Sequence, residues 1–127
     1  ILKILFGGVF MSTNQTLDEI IKGTEKINSK AMTLNRSLIL ALCYYFIDGI
    51  QFRELRTALN ISDGNLSSNL RVLKEFHYIN EKETFLDRKK IKYYSITKAG
   101  KRELDKIINW VELVKKLLEK NKNEAKL

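Results

Sequence analysis

The apolar pattern of residues 50–97 constrains the fold of this chain most. It changes from helical spacing before residue 76 to residues typical of strands from residue 78. Apolar residues recur at helical spacing over residues 52–59 and again over 63–76, and a turn rich in Asn, Ser, Asp and Gly separates the two stretches. Two runs rich in aromatic and β-branched residues follow, over 78–86 and 91–96, with Asp87-Arg88-Lys89-Lys90 between them. The order predicts a strand stub at Ile50-Gln51, a helix-turn-helix, and then an antiparallel β-hairpin with a basic tip.

A helix-turn-helix that leads directly into such a hairpin is the winged-helix arrangement, which is used chiefly to bind duplex DNA. The second helix has its apolar side at Leu66, Leu70 and Leu73, so short polar residues lie on the opposite side. Such side chains let a helix approach the major groove, and a longer donor reaches base edges. A solvated helix face would have the same composition, and the neighbouring hairpin favours the DNA interpretation. We assign the following residues to the recognition surface: Asn65, Ser67, Ser68 and Arg71.

The hairpin tip, or wing, concentrates positive charge. Of the seven residues 86–92, one is acidic and four are basic, namely Arg88, Lys89, Lys90 and Lys92. These positive charges repel one another, so folding stability does not explain why they are clustered. Contact with DNA phosphates or a minor groove does explain it. The alternative is a hairpin that lysine keeps soluble. Around the preceding helix, we expect three side chains to contact the DNA backbone: Gln51, Arg53 and Arg56.

The composition agrees with a polyanionic partner. The chain has 127 residues, with 23 Lys and Arg against 15 Asp and Glu and a net charge of +8, which indicates one basic domain. One cysteine, Cys43, and one histidine, His77, provide neither a disulfide nor a Cys/His metal site. We expect Cys43 to fill the core and His77 to cap or pack at the helix–strand junction. With no Gly-rich phosphate loop and no nucleophile with a His partner, we expect no cofactor, no metal and no enzymatic activity. The single cysteine favours a reducing compartment, so we expect a cytoplasmic location.

Helices on both sides of the central segment predict a homodimer. Apolar or small residues recur at spacings of 3 and 4 in a predicted helix 15–31, and again in a helix 97–120 that Thr97 caps. The apolar surface of the last helix exceeds what the rest of one domain covers, so a second copy is the simplest partner. A helix of about 24 residues spans about 36 Å, close to the 34 Å or so between successive major grooves. The positions assigned to the interface are Leu17, Ile20, Ile27, Leu104, Ile107, Val111, Val114 and Leu118.

Two further segments complete the prediction. Asn35 is expected to cap a helix that is apolar over residues 38–47 and so should be buried on several sides. Residues 1–10 are apolar with one charge, Lys3, and are too few to span a membrane, which takes about 20 residues. We treat them as an N-terminal extension from an upstream start or an added segment. Residues 11–127 would then form a single winged-helix domain.

Several motifs resemble those of small winged-helix transcriptional regulators of the MarR and ArsR type. They are Phe52-Arg53-Glu54-Leu55, Ser62-Asp63-Gly64-Asn65-Leu66-Ser67-Ser68-Asn69-Leu70 and Tyr94-Ser95-Ile96-Thr97-Lys98-Ala99-Gly100. The chain is most similar to short archaeal regulators of Sulfolobales that are related to leucine-responsive regulators. The resemblance implies a mainly α fold with a small β-hairpin, and a homodimeric DNA-binding protein whose long terminal helices form the interface. Members of that archaeal group are associated with control of biofilm formation and motility.

Two other functions fit the same pattern. A winged helix also serves as a protein-assembly module, whose wing need not be basic. A nonspecific chromatin-associated protein would share the electrostatics without preferring any promoter. Because the recognition surface has one long basic side chain, Arg71, we expect limited sequence stringency, with much of the affinity coming from phosphates and DNA shape.

Overall fold

The computed structural model describes residues 11–125, and the side chains of residues 15–120. This part of the chain contains five helices and one three-stranded antiparallel sheet. The elements are α1 (Met11–Lys26), α2 (Leu34–Tyr45), β1 (Ile50–Gln51), α3 (Phe52–Leu59), α4 (Asp63–Glu75), β2 (Ile79–Leu86), β3 (Lys89–Ile96) and α5 (Lys98–Ala125). The predicted fold class, mainly helical with a winged helix-turn-helix, is confirmed. None of the described helices is both long enough and apolar enough to cross a membrane.

Residue contacts divide the chain into two compact units, whereas the sequence predicts a single domain over residues 11–127. One unit is Asn28–Leu104, and the other combines the segments up to Ile27 and from Asp105. In the second unit, the indole Nε1 of Trp110 donates to Thr24 Oγ1 at 2.9 Å. The first unit contains the helix-turn-helix and the sheet, with β3 between β1 and β2. Its core consists of Ala31, Ile39, Leu40, Cys43, Ile50, Leu55, Leu66, Leu70, Leu73, Tyr78, Ile79, Tyr94 and Leu104.

The helix-turn-helix forms where the sequence predicts it. Helix α3 begins with a capping box, in which the Gln51 amide donates to Glu54 Oε1 at 3.0 Å. It ends at Asn60, whose left-handed φ of 52° turns the chain. Ser62 then caps α4, because its Oγ accepts from the Asn65 amide at 3.1 Å. The apolar side of α4 faces the core as predicted, so its polar side faces solvent.

The junctions on either side of the hairpin hold it to the helices. His77 ends α4 with a φ of 60°, and the Tyr78 amide donates to the Leu73 carbonyl at 2.9 Å while the His77 amide donates to Lys74. This is a Schellman motif, so the predicted capping role of His77 is confirmed. Thr97 Oγ1 donates to the His77 carbonyl at 2.7 Å and accepts from the Gly100 amide at 3.0 Å, which begins α5. Thr97 therefore caps α5 as predicted and also ties its start to the end of α4.

Helix α2 differs from its prediction at its start and in its burial. Thr33, not Asn35, is its cap, since Thr33 Oγ1 accepts from the Arg36 amide at 3.2 Å. The helix ends at Tyr45 rather than at residue 47. Only one side is buried, around Cys43, where burial raises the thiol pKa from 9.0 to about 12. The other side is exposed, so the prediction of burial on several sides is wrong.

Both terminal helices differ in length from the sequence prediction. Helix α1 ends at Lys26 and not at residue 31. The side chain of Asn28 explains this end, because its Oδ1 accepts from the Ala31 amide at 3.2 Å and its Nδ2 donates to the Tyr78 hydroxyl at 3.0 Å. Local side-chain bonds of this kind compete with continued helix. Helix α5 continues to Ala125, beyond the predicted residue 120.

Candidate nucleic-acid interface

The recognition residues lie together on the outer side of α4. Asn65, Ser67, Ser68 and Arg71 are all exposed, and they lie opposite the buried leucines of the same helix. Among the described residues, no hydrogen bond or ion pair holds the side chains of Ser67, Ser68 or Arg71. These three side chains are therefore free to rotate toward a ligand.

Asn65 is instead held in place by a chain of hydrogen bonds that the sequence prediction missed. Asn69, which is buried, donates through Nδ2 to the Asn65 carbonyl at 3.0 Å and to Asn65 Oδ1 at 2.7 Å. Arg36 on α2 donates through Nε to Asn69 Oδ1 at 3.0 Å. Since the guanidinium only donates, it determines that the amide nitrogen of Asn69 faces Asn65. The arrangement leaves Asn65 Nδ2 available as an outward donor.

We expect the substitution Asn69→Asp to weaken DNA binding about tenfold and to lower the free energy of unfolding by about 1–3 kcal/mol, because a buried carboxylate oxygen would face two oxygens of Asn65. A carboxylate at this position still accepts from Arg36, but it has no hydrogen to donate to Asn65. Fluorescence anisotropy with a labelled duplex measures the affinity, and circular dichroism measures the melting temperature. In an Asn65→Ala background, the same substitution should cost little more. An equal tenfold loss in both backgrounds would contradict a positioning role for Asn69.

The wing is a longer and tighter hairpin than the sequence predicts. Strands β2 and β3 pair from Ile79↔Ile96 to Leu86↔Lys89, so only Asp87 and Arg88 form the turn, where four residues were expected. Both turn residues have left-handed φ angles, 50° and 65°, as a two-residue type I′ turn requires. Lys89 and Lys90 are therefore strand residues, and Arg88 alone among the predicted wing cations lies in the turn.

The four wing cations fall into two groups. Lys90 and Lys92 share a face of the ribbon with Glu83 of β2 by the strand register, and Lys90 Nζ lies 3.2 Å from Glu83 Oε2. Arg88 and Lys89 are exposed, and no carboxylate among the described residues pairs with either. Arg88 and Lys89 are therefore available to bind a phosphate directly. Lys90 and Lys92 would first have to leave their glutamate partners.

We expect Arg88→Gly to raise the free energy of unfolding by about 0.5–1 kcal/mol and to weaken DNA binding roughly tenfold. Glycine relieves the left-handed φ, whereas the lost guanidinium removes an unpaired cation from the tip. Thermal unfolding and anisotropy measure the two effects. Asp87→Gly is the matched control, because it relieves the same backbone strain without removing positive charge. Weaker binding in that control would show that turn conformation, not Arg88, is responsible.

Glu81 connects the recognition helix to the wing. Its Oε1 accepts from the Tyr94 hydroxyl at 2.8 Å and lies 3.4 Å from Lys74 Nζ on α4. Lys92 Nζ on β3 lies 3.8 Å from the same oxygen. Burial acts to raise the pKa of Glu81, but the Tyr94 hydrogen bond and the two lysines outweigh it, so the pKa lies below its usual value. The charged form of Glu81 therefore links α4, β2 and β3 in one unit.

Residues around α3 are placed less uniformly than predicted. Arg53 is exposed and lines a groove with Lys89 and Lys90, so the structure brings these cations together. Gln51 is half-buried and its Nε2 donates to the Tyr93 hydroxyl at 3.2 Å. Arg56 Nη1 pairs with Asp63 at 3.0 Å. Of the three predicted backbone contacts, Arg53 is thus the one with no described side-chain partner.

The positions predicted for a dimer interface vary in exposure. Leu104 is buried in the core of the Asn28–Leu104 unit, which leaves it little surface for a partner. Leu17, Ile20, Ile27, Ile107 and Val114 are half-buried. Val111 and Leu118 are 51% and 59% exposed, as is 48% of Ile108 on the same helix.

A family model described as a winged helix DNA-binding domain matches residues 36–114. The chain belongs to this family. The match covers α3, α4 and the wing, which are the elements of the candidate interface. This family is defined by DNA binding and not by an enzymatic activity. The resemblance to winged-helix regulators is confirmed at this level, and the narrower archaeal group stays a prediction.

Solved structures share the winged-helix fold at low sequence identity. The Staphylococcus aureus MepR–DNA complex has a TM-score of 0.61 and 18% identity, covering 97% of this chain and 94% of that one. The adhesin competence repressor AdcR from Streptococcus pyogenes has a TM-score of 0.57 and 17% identity, covering 94% and 85%. A transcriptional regulator homologue from Pyrococcus horikoshii has a TM-score of 0.55 and 20% identity, covering 83% and 95%. No curated protein sequence matches this chain.

Proposed function

We propose that this winged-helix protein is a homodimeric transcriptional regulator that binds double-stranded DNA. Helix α4 would enter the major groove, and the wing would contact the backbone or the adjacent minor groove. The observation that carries the proposal is that the winged helix leaves exposed both the polar side of α4, with Ser68 and Arg71, and the wing cations Arg88 and Lys89. The DNA complex of MepR, a protein with the same fold, supports duplex DNA as the partner.

Affinity would come mainly from phosphates. Arg71 is the one long basic side chain among the four recognition residues, and the others are an amide and two hydroxyls. Such a surface makes few bidentate base contacts, each of which contributes about 1–3 kcal/mol of discrimination. Unpaired cations at Arg53, Arg88 and Lys89 supply contacts that do not depend on sequence. The protein would therefore be a regulator of limited stringency with strongly salt-dependent binding.

The homodimer would pair through α1 and α5. Helix α5 has 28 residues, so it is about 42 Å long at 1.5 Å per residue. Its exposed apolar residues Ile108, Val111 and Leu118 are the surface that we assign to the partner. Two copies paired in this way could present their α4 helices to successive major grooves, about 34 Å apart.

We also propose that the protein controls genes for biofilm formation and motility, because the archaeal regulators that it resembles are associated with these processes. A genome-wide map of bound sites tests the function directly. We expect enrichment at a set of promoters, and for the enriched duplexes a preference over scrambled duplexes of less than about a thousandfold at physiological salt. Uniform coverage would indicate a nonspecific chromatin protein. No enrichment, together with no binding to any duplex, would indicate an assembly module instead.

A further inference from the structure

The tip of the wing carries two large apolar side chains in solvent. Phe85 is 73% exposed and Leu86 is 58% exposed, and they end β2 immediately before the Asp87-Arg88 turn. Strand β2 lies at the edge of the sheet, where exposed apolar residues favour aggregation. Folding stability does not explain them, because neither side chain belongs to the core of its unit. Contact with a partner would explain both.

The two side chains lie on opposite faces of the ribbon, because successive residues of a strand alternate. By strand register, Phe85 shares its face with Lys90, and Leu86 shares the other face with Lys89. A flat partner covers one face of a ribbon and leaves the other in solvent. A cleft that receives the tip covers both faces at once. The placement of Phe85 and Leu86 therefore indicates a partner with a narrow cleft.

The charge of the tip indicates what forms the walls of that cleft. Over residues 85–90 three cations accompany one carboxylate, that of Asp87. Arg88 and Lys89 are exposed, and no carboxylate in the described part of the chain pairs with either. The minor groove of duplex DNA is a cleft with phosphates along both sides. Its depth of about 7.5 Å matches the two strand residues, about 7 Å, that separate Phe85 from the turn.

The minor groove must open to receive the tip. Paired strands lie about 4.8 Å apart before their side chains are added, whereas the groove is about 6 Å wide. Proteins that enter this groove often insert an apolar side chain, such as Phe or Leu, between two base pairs. The insertion kinks the duplex by about 20–90° toward the major groove and so widens the minor groove.

We propose that Phe85 is an apolar wedge that enters a base-pair step from the minor groove and bends the DNA, with Leu86 against the wall of the groove. The inference rests on the proposed function and specifies it further, because the wing then enters the minor groove and does not only contact the backbone. Pyrimidine–purine steps such as TA kink most easily. The wing therefore favours duplexes that have such a step beneath Phe85, although it reads no base edge there.

Two synthetic duplexes of equal length and equal A·T content test the wedge. One has TA steps at its centre, and the other has an uninterrupted A-tract, whose minor groove is narrow, stiff and attractive to cations. The wild-type protein should bind the TA duplex about fivefold or more tightly and bend it by about 20° or more. Anisotropy measures the affinity, and energy transfer between dyes at the two ends measures the bend. A preference for the A-tract, or binding without a bend, overturns the proposal.

Phe85→Ala separates the wedge from the cations. The affinity for the TA duplex should fall about tenfold and the bend should disappear, while the slope of log affinity against log salt stays unchanged because no charge is lost. Phe85→Leu should keep most of the bend, since leucine also serves as a wedge. Ile47→Ala is the matched control, because Ile47 is a 66% exposed apolar residue of the same unit outside the wing, and it should bind and bend DNA as the wild type does.

The outcomes separate this inference from the proposed function. A bend that persists in Phe85→Ala refutes the wedge even where DNA binding holds. A wild-type protein that binds neither duplex refutes the proposed function and the wedge together. Loss of the bend in Phe85→Ala with an unchanged salt dependence supports the wedge, because a misfolded wing would also lose its phosphate contacts.

Discussion

Replacing Gly100 with alanine is expected to destabilise the protein by about 3 kcal/mol or more, and to lower its melting temperature by about 10 °C or more. A Cβ at this position would overlap the Tyr78 carbonyl oxygen and lie 2.9 Å from Ile96 Cγ1. The carbonyl cannot move freely, because it accepts from the Thr97 amide at 3.0 Å. Either the start of α5 or the end of the wing must shift. Thermal and urea unfolding followed by circular dichroism measure the loss.

Gly64→Ala is the control for this prediction. Gly64 lies in the first turn of α4, and a Cβ there would have no neighbour within 4 Å. Alanine should therefore leave stability unchanged or raise it by about 0.5–1 kcal/mol. Only stability is compared, because Gly64 is on the side of α4 that would face DNA. Similar melting temperatures for the two variants would contradict the close packing of Gly100 on Tyr78.

Charge reversal of the wing, Arg88→Glu with Lys89→Glu and Lys90→Glu, is expected to weaken duplex binding about 100-fold or more at 0.1 M salt. The slope of log affinity against log salt should become shallower by about 2 rather than 3, because Lys90 is already paired with Glu83 at 3.2 Å. Anisotropy titrations at several salt concentrations measure both quantities. The wing is exposed, so the melting temperature should change little.

The matched control reverses three exposed cations outside the candidate interface: Lys30, Lys98 and Arg102. This variant has the same net charge as the wing variant. We expect a much smaller loss of affinity, because only long-range attraction is reduced. Equal losses in the two variants would mean that net charge alone binds DNA. An unchanged affinity in the wing variant would favour the protein-assembly interpretation.

Local sequence signals predicted the elements that carry the interface. The bounds of α3 and the cap at Thr97 agree with the structure, because each depends on residues within about four positions of one another. The predicted β1 is also present, although it is a strand through its pairing with β3. The Leu66, Leu70 and Leu73 side of α4 was also predicted, since helical periodicity alone identifies an apolar face. The role of His77 followed from its place between a helix and a strand.

Other features depended on contacts between distant parts of the chain. In the sequence, Asn69 looks like an ordinary polar residue of a helix. It orients Asn65 only because Arg36, 33 positions earlier, donates a hydrogen bond to its side-chain oxygen. Helix α1 ends early because Asn28 bonds to Tyr78, 50 positions later. Periodicity could not reveal either bond. A careful search for polar residues at core positions of α4 would have found Asn69, since it lies three residues after Leu66 and four before Leu73 and so shares their side of the helix.

By itself, the sequence determined the order of elements, the face of α4 that is buried and the excess of cations at the hairpin tip. These follow from periodicity, capping and charge, which act over one or two turns of chain. Only the tertiary structure decided which of these positive charges are free of carboxylate partners and so available to bind DNA. Lys90 and Lys92 are close to glutamates because strand register puts β2 opposite β3, and Glu81 meets Lys74 because the sheet packs on α4. Pairing between side chains is set by the packing of elements, which no local pattern contains.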